Sequence, residues 1–301
     1  MEFNGAAYAG RTAVITGAGS GIGLACARLA ARLGMNLVLA ELRQEALDAA
    51  VSALQAAGAT VWGQRVDVSQ AEQMEALAEA TLQRFGSPHL VFNNAGVGSV
   101  GLIWEASAHE GERVLGVNVM GVVHGVRVFT PLMLQAAAAD SGYRGHIVNS
   151  ASMAGLVNAP NMGVYNASKH AVVSLSETLY QDLALVTTQV RASVLCPFYV
   201  PTAIATSTRH GAAGGAVETP SQALGRAMLE KATAAGKVSA DEVAERIFAG
   251  VDQGHFYIYS HPQALASVQQ RMEDILQARN PGDPFAHKPA LAAQLRKALG
   301  A

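Results

Sequence analysis

The chain has 301 residues, of which 50% are hydrophobic and only 6% aromatic, and its 21 Lys and Arg oppose 23 Asp and Glu for a net charge of −2. Such high hydrophobicity with so little net charge excludes an intrinsically disordered chain. The lack of a basic excess also argues against nucleic acid as a partner.

Short apolar runs alternate with longer helical patterns along most of the chain. Strands are predicted at 12–16, 36–40, 60–66, 89–93, 146–150, 189–195 and 255–259, and helices at 21–33, 43–57, 70–85, 105–139 and 164–186. Short, almost entirely apolar strands separated by helices that end at glycine are typical of a parallel sheet buried on both faces. We therefore predict an α/β protein with a doubly wound parallel sheet and helices on both faces.

The last third of the chain is predicted to be less regular. A stretch rich in Gly, Ser and Thr indicates a mobile substrate loop over about 198–230. Ser239 with Glu242 three residues later is typical of a helix N-cap. Helical patterns at 263–277 and 289–299 predict a helical extension over about 260–301. Since no linker divides the chain, we predict a single domain over 1–301 with its core at about 11–259.

A glycine-rich loop, Thr16-Gly-Ala-Gly-Ser-Gly-Ile-Gly23, follows the first strand and begins the first helix. The free N–H groups and positive dipole of a helix N-terminus suit a pyrophosphate, and glycine permits the close approach. Glu41 ends the second strand eighteen residues later, where a ribose-binding carboxylate is expected. Because that carboxylate repels a 2′-phosphate, the pattern predicts NAD over NADP. Arg43 is the one nearby residue that leaves NADP open.

Tyr165 and Lys169 lie four residues apart in a predicted helix and therefore share one face. An ammonium near a phenol favours its ionised form, so a lowered pKa of Tyr165 is expected. Ser152 follows the fifth strand, at the sheet edge where ligands bind in open α/β folds. Its hydroxyl can donate to a carbonyl oxygen while the tyrosine transfers a proton. Ser150 is the alternative, but its place on the strand predicts that it faces the interior.

Together these motifs resemble the short-chain dehydrogenase/reductase family over about 11–259. The resemblance implies a Rossmann-type fold with seven strands in the order 3-2-1-4-5-6-7. It implies that Tyr165 is the general acid/base and that Ser152 orients the substrate oxygen. It also implies that Lys169 binds the nicotinamide ribose and lowers the pKa of Tyr165, while Asn118 holds a water in a proton relay.

The same resemblance implies the residues of the cofactor and substrate sites. Besides Glu41, Tyr165 and Lys169, the expected cofactor-binding residues are Gly17, Ser20, Gly21, Ile22, Gly23, Asp67, Val68, Asn94, Ala95, Gly96, Pro197 and Thr202. The family usually has glycine after the proline of this region, whereas Phe198 and Tyr199 follow Pro197 here, which is expected to reshape the substrate mouth. Candidate substrate-pocket residues are Val97, Trp104, Met153, Val157, Met162, Phe198 and Tyr199.

The predicted function is an NAD-dependent oxidoreductase that interconverts a hydrophobic secondary alcohol and its ketone. An NADP-dependent ketone reductase is the first alternative, and a non-catalytic sensor of nicotinamide redox state is another. A lyase of the halohydrin dehalogenase type is disfavoured, because such relatives lose the dinucleotide glycines and replace the lysine. Arg209 and His210 are candidates for binding an acidic group of the substrate.

Partners and location follow from composition and resemblance. Cys26 and Cys196 sit in apolar surroundings without a His/Cys cluster, so we predict free thiols and no metal. Neither a signal peptide nor a run of about 20 apolar residues is expected, which predicts a cytoplasmic protein with no membrane partner. The resemblance implies a homotetramer or homodimer through the helices at about 105–139 and 164–186.

Overall fold

The computed structural model describes residues 5–211, 218–286 and 289–300. Within them, one parallel sheet has the strand order β3-β2-β1-β4-β5-β6-β7, which confirms the expected topology. The strands are β1 (Thr12–Thr16), β2 (Asn36–Glu41), β3 (Val61–Arg65), β4 (Leu90–Asn93), β5 (Gly145–Ser150), β6 (Val190–Cys196) and β7 (Tyr257–Tyr259). Their boundaries differ from the predicted ones by no more than two residues.

Helices cover both faces of this sheet. They are α1 (Gly21–Arg32), α2 (Gln44–Ala56), α3 (Ala71–Phe85), α4 (Ala108–Leu115), α5 (Gly121–Ala139), α6 (Gly163–Val186), α7 (Pro220–Ala234), α8 (Ala240–Asp252), α9 (Leu265–Leu276) and α10 (Pro289–Ala298). Because strand side chains alternate between faces, Ile15 of β1 packs in a core with α1 and α8, while Val14 packs in a core with α3 and α5. Burial on both faces explains why the strands are almost entirely apolar.

The stretch predicted as helical over 105–139 is interrupted. A 3₁₀ turn at Ile103–Glu105 precedes α4, and a π-helical turn at Gly116–Met120 separates α4 from α5. Such π turns are rare and occur frequently at functional sites. The turn carries Asn118, whose contacts are described below.

Of the loop predicted over about 198–230, a large part is helical, which corrects that expectation. Residues Ala203–Gly211 form a 3₁₀ helix, and α7 begins at Pro220. A capping box starts α7, because the Thr219 hydroxyl accepts from the Gln222 N–H while the Gln222 side chain accepts from the Thr219 N–H. The Ser and Thr residues interpreted as loop therefore include a helix start. Residues 212–217 lie outside the described residues.

The region after α7 follows its prediction more closely. Ser239 begins α8 with the expected capping box to Glu242. Helices α9 and α10 occupy the predicted C-terminal extension. The side chains on the first turns of α9 pack against the core: Leu265 and Val268 contact the cluster that contains Val172 and Cys196.

One helical stretch in the described residues, Ala108–Ala139, is long and apolar enough to cross a membrane by length and composition. One helix of this kind is weak evidence for a membrane span and does not contradict the expectation of no membrane partner. In the fold, Phe129 and Met133 of this stretch are completely buried against the sheet. Since the core helices of globular proteins meet the same criterion, this stretch is accounted for as a core helix.

Helix α5 approaches the sheet unusually closely at Gly125. A Cβ on Gly125 would lie 2.0 Å from the Asn93 Oδ1 atom. Asn93 cannot swing away freely, because its Nδ2 donates to the Asn149 Oδ1 at 2.9 Å, and the Asn149 Nδ2 donates in turn to the Ser176 hydroxyl at 3.0 Å. A buried chain of hydrogen-bonded side chains thus joins β4, β5 and α6. The residue of α5 that lies against this chain must therefore be glycine.

Gly125→Ala should therefore lower the free energy of unfolding by about 2 kcal/mol, as is usual for overpacking a tight core. Urea unfolding monitored by circular dichroism measures the change. Gly111→Ala is the matched control, since a Cβ at Gly111 in α4 meets open space and alanine should leave stability unchanged or raise it. Equal stability of the Gly125→Ala variant and the wild type would contradict the close-packing argument.

Candidate active site

The carboxyl ends of the central strands border a cleft of about 790 Å³. It is lined by most of the residues predicted for cofactor and substrate binding: Gly17, Ser20, Gly21, Ile22, Glu41, Asp67, Val68, Asn94, Ala95, Gly96, Val97, Ser152, Met153, Val157, Met162, Tyr165, Lys169, Pro197, Phe198, Tyr199 and Thr202. Gly23, Trp104 and Asn118 do not line it. Parallel strands bring these distant segments together because their carboxyl ends meet at one edge.

The glycine loop has a conformation that requires glycine. Gly17 and Gly21 have φ values of +64° and +55°, in the left-handed region. A Cβ on Gly23 would lie 2.3 Å from the Gly17 carbonyl oxygen, so Gly23 allows the first turn of α1 to pack against the loop. The Asn94 Nδ2 donates to the carbonyls of Thr16 at 2.9 Å and Gly17 at 3.2 Å, which fixes the loop against β4.

Glu41 is buried at the end of β2, next to the glycine loop. Its Oε2 accepts from the Gly19 N–H at 3.1 Å, and its Oε1 accepts from the Arg43 Nε at 3.3 Å. The exposed Arg43 side chain also donates to the Ser20 hydroxyl at 3.4 Å. A carboxylate is therefore held at the cleft wall, with one guanidinium beside it.

Asn118 is completely buried, and its side chain holds two elements together. Its Oδ1 accepts from the Val97 N–H at 2.8 Å, and its Nδ2 donates to the Val97 carbonyl and to the Ser168 hydroxyl, each at 3.0 Å. Ser168 in turn donates to the Tyr165 carbonyl at 2.7 Å. The Asn118 side chain is therefore fully engaged in hydrogen bonds within the protein, and its expected part in a proton relay stays a prediction. Ser168 was missed by the sequence reasoning, although it lies within the Tyr165–Lys169 motif.

Ser152, Tyr165 and Lys169 meet at the end of β5. The Ser152 hydroxyl accepts from the Ala154 N–H at 3.1 Å and donates to the Pro197 carbonyl at 3.3 Å. The Lys169 Nζ donates to the Ser150 carbonyl at 2.8 Å and lies 5.8 Å from the centre of the Tyr165 ring. Ser150 thus contributes its main-chain oxygen to the site.

Burial controls the titration of these groups. Desolvation raises the pKa of Tyr165 above its usual value, against a hydrogen bond with Ser152 that lowers it. Desolvation also lowers the pKa of Lys169 to about 8, against the raising influence of Cys196. The predicted lowering of the Tyr165 pKa is therefore wrong for the protein alone, because removal from water penalises the charged form of each group.

The substrate side of the cleft differs from its prediction at Trp104. That side chain is 77% exposed and lies outside the cleft. The neighbouring Glu105 carboxylate accepts from the hydroxyls of Thr219 at 2.6 Å and Ser221 at 2.5 Å, so the turn is held to the start of α7 and Trp104 lies on its outer side. The side chains of Arg209 and His210 are outside the described residues.

The substrate side of the cleft is also lined by residues of two helices that were not predicted, the 3₁₀ helix Ala203–Gly211 and α7. Ile204, Ser207, Leu229 and Thr233 line the cleft. The Ser207 hydroxyl accepts from the Gly98 N–H at 2.8 Å, which joins the 3₁₀ helix after β6 to the loop after β4. These four residues reach the cleft because the chain segments that carry them fold back over it. No local sequence signal predicted that placement.

Comparison with known proteins gives a consistent set of similarities. A family described as short chain dehydrogenase matches residues 11–213. The 1-deoxy-11-beta-hydroxypentalenate dehydrogenase of Streptomyces avermitilis is 34% identical over 266 residues, which cover 88% of this chain and 89% of that protein. A short chain dehydrogenase/reductase from Burkholderia phymatum, solved in complex with NAD, is 51% identical with a TM-score of 0.89 and covers 93% of this chain and 99% of its own. An alcohol dehydrogenase from Thermococcus sibiricus, complexed with 5-hydroxy-NADP, is 26% identical with a TM-score of 0.67 and covers 83% of this chain and 95% of its own.

Lys169→Met should stabilise the protein near pH 7 by up to about 3 kcal/mol, and the advantage should shrink as the pH approaches 10. The pKa of Lys169 is about 8 in the folded protein against a usual 10.5. Below pH 8 both states carry the proton and the folded state bears the full cost of burial. Between pH 8 and pH 10.5 the unfolded state binds more protons than the folded state. The free energy of unfolding of the wild type therefore rises with pH relative to that of the variant.

Urea unfolding of both proteins from pH 7 to pH 10 measures this difference. Lys237→Met, at an exposed lysine, is the control and should show a difference from wild type that does not change with pH. A constant difference for Lys169→Met across the same range would show that its ammonium is not desolvated.

Proposed function

The chain belongs to the short-chain dehydrogenase family of oxidoreductases, and we propose that it interconverts a hydrophobic secondary alcohol and its ketone with NAD. The observation that carries the proposal is the meeting of Ser152, Tyr165 and Lys169 beside a glycine loop at one end of the sheet. Proton-transferring and carbonyl-orienting groups are thereby combined with a dinucleotide-type cleft.

The residues present fit a nicotinamide dinucleotide. The loop at the N-terminus of α1 offers main-chain N–H groups and has no room for a Cβ at Gly23. Glu41 and Lys169 both line the cleft, and we infer that Glu41 accepts hydrogen bonds from one ribose while Lys169 binds the other. When bound, the nicotinamide supplies the acceptor or donor of hydride.

The protein's own contribution is the movement of a proton and the orientation of the alcohol. In oxidation, Tyr165 takes the hydroxyl proton of the substrate, and in reduction it returns that proton to the carbonyl oxygen. Ser152, whose hydroxyl is within hydrogen-bonding reach of Tyr165, orients the same substrate oxygen. Lys169 stabilises the ionised tyrosine when its own ammonium is charged. Asn118 acts through Ser168 by holding the helix that carries Tyr165.

Apolar side chains support a hydrophobic substrate. The substrate half of the cleft is lined by Val97, Met153, Val157, Met162 and Leu229. Pockets of this composition bind largely apolar ligands with a few orienting polar groups. A panel of aryl, alicyclic and sugar alcohols with their ketones, followed by the absorbance of reduced nicotinamide, tests the class. Turnover confined to sugars or charged substrates would overturn it.

Tyr165→Phe should lower kcat at least about a hundredfold on the best substrate of that panel, because general acid–base groups contribute on this scale. The proton can no longer pass to a positioned side chain. Tyr180→Phe is the matched control, because it removes a phenol from the exposed face of the same helix. Retention of more than a few per cent of wild-type turnover by Tyr165→Phe would refute its role. Stoichiometric NAD binding with no oxidation of any alcohol would instead favour a redox sensor.

Glu41 supports NAD as the preferred cofactor, with NADP as the alternative because Arg43 is adjacent. Glu41→Ser should raise the ratio of kcat/KM for NADP to that for NAD at least about tenfold, since it removes a repulsive charge and releases Arg43. Glu45→Gln, an exposed carboxylate on α2, is the control. An unchanged ratio would mean that Glu41 does not face the ribose.

Assembly and location are part of the same proposal. Exposed apolar side chains on and beside α5 and α6, such as Met120, Leu175 and Leu185, favour a homodimer or homotetramer through these helices. Both cysteines, Cys26 and Cys196, are buried free thiols, which suits a cytoplasmic protein.

A further inference from the structure

The segment after β6 places a second phenol beside the reacting groups. Tyr199 lines the cleft together with Tyr165 and Ser152. The segment that carries Tyr199 is hydrogen-bonded to the Ser152 region. The Pro197 carbonyl accepts from the Ser152 hydroxyl at 3.3 Å and from the Met153 N–H at 2.9 Å. Tyr199 also contributes to the raised pKa of Tyr165, after the larger effect of burial, which supports the proximity of the two phenols.

The ring of Tyr199 is fixed by its neighbours. It packs against the Phe198 ring with centroids 4.5 Å apart, and Phe198 packs edge-on against His261 at 5.8 Å. The Phe198 N–H donates to the Ser260 hydroxyl at 2.8 Å, which ties this segment to the start of the C-terminal extension. The phenol is therefore held in place before any substrate arrives.

The hydroxyl of Tyr199 makes no hydrogen bond within the described residues, although the ring is half-buried. Burial raises its pKa, so it stays a neutral donor. The neighbouring substrate wall is apolar, with Met153, Val157 and Leu229. Because this hydroxyl is not among the buried unpaired atoms of the described residues, it is accessible from the cleft, and a ligand oxygen there can accept its hydrogen bond.

We propose that the Tyr199 hydroxyl binds a second oxygen of the substrate, one that stands close to the reacting carbon. The substrate class is then a hydrophobic secondary alcohol or ketone that carries another hydroxyl or carbonyl oxygen. Tyr199 determines specificity and takes no part in hydride or proton transfer. This inference rests on the proposed function, since it concerns the same cleft.

The test compares alcohols that differ by one oxygen: 1-phenylethanol with 1-phenylethane-1,2-diol, and 1-phenylpropan-1-ol with 1-phenylpropane-1,3-diol. The wild type should prefer at least one diol over its matched monoalcohol by about tenfold in kcat/KM, on the scale of one hydrogen bond. Tyr199→Phe should remove that preference. Tyr259→Phe, which removes a phenol hydroxyl outside the cleft, should keep it.

A binding measurement separates this inference from the proposed function. Calorimetric dissociation constants are determined for the same pairs with NAD present, in Tyr165→Phe and in Tyr165→Phe with Tyr199→Phe. A preference for the diol that disappears with Tyr199 supports the inference even if the wild type oxidises none of these alcohols. Equal binding within each pair, or a preference that survives in Tyr199→Phe, overturns it.

Discussion

All strands of the sheet run in the same direction, and both faces of the sheet are buried. This constraint determines where chemistry can occur. The carboxyl ends of the strands meet at one edge, so Gly17, Asn94, Ser152 and Pro197 line a single cleft although they are far apart in sequence. No segment contains the site alone, and the whole fold is needed to assemble it.

The site is held by buried polar groups that satisfy one another at some cost in stability. The Thr16 hydroxyl accepts from the N–H groups of Asn94 and Ala95, which fixes the glycine loop. Lys169 is buried with a carbonyl partner and no carboxylate hydrogen-bonded to it in the described residues. Such groups are typical of functional sites, where stability is lowered in favour of chemistry. Helix capping and the apolar cores compensate for them elsewhere in the fold.

Much of the fold could be predicted because its signals are local. Strand β1 was predicted with its observed boundaries, and the capping pattern at Ser239 marked the start of α8. The capping box at Thr219 has equally local chemistry, but it lies in a Gly- and Ser-rich stretch that resembles a loop. Only the contact of its hydroxyl with Glu105, 114 residues away, shows how that helix is placed over the cleft.

By itself, the sequence determined the strands and the glycine loop, since these depend on periodicity and short spacings, and its resemblance to a known family pointed to the candidate catalytic residues. Only the tertiary structure decided the raised pKa of Tyr165 and the full engagement of the Asn118 side chain in hydrogen bonds. It also decided the exposure of Trp104 and the position of the Tyr199 hydroxyl, which lines the cleft without a hydrogen-bond partner in the described residues. Burial and hydrogen-bond partners decide each of these properties, and both come from residues that are distant in the chain.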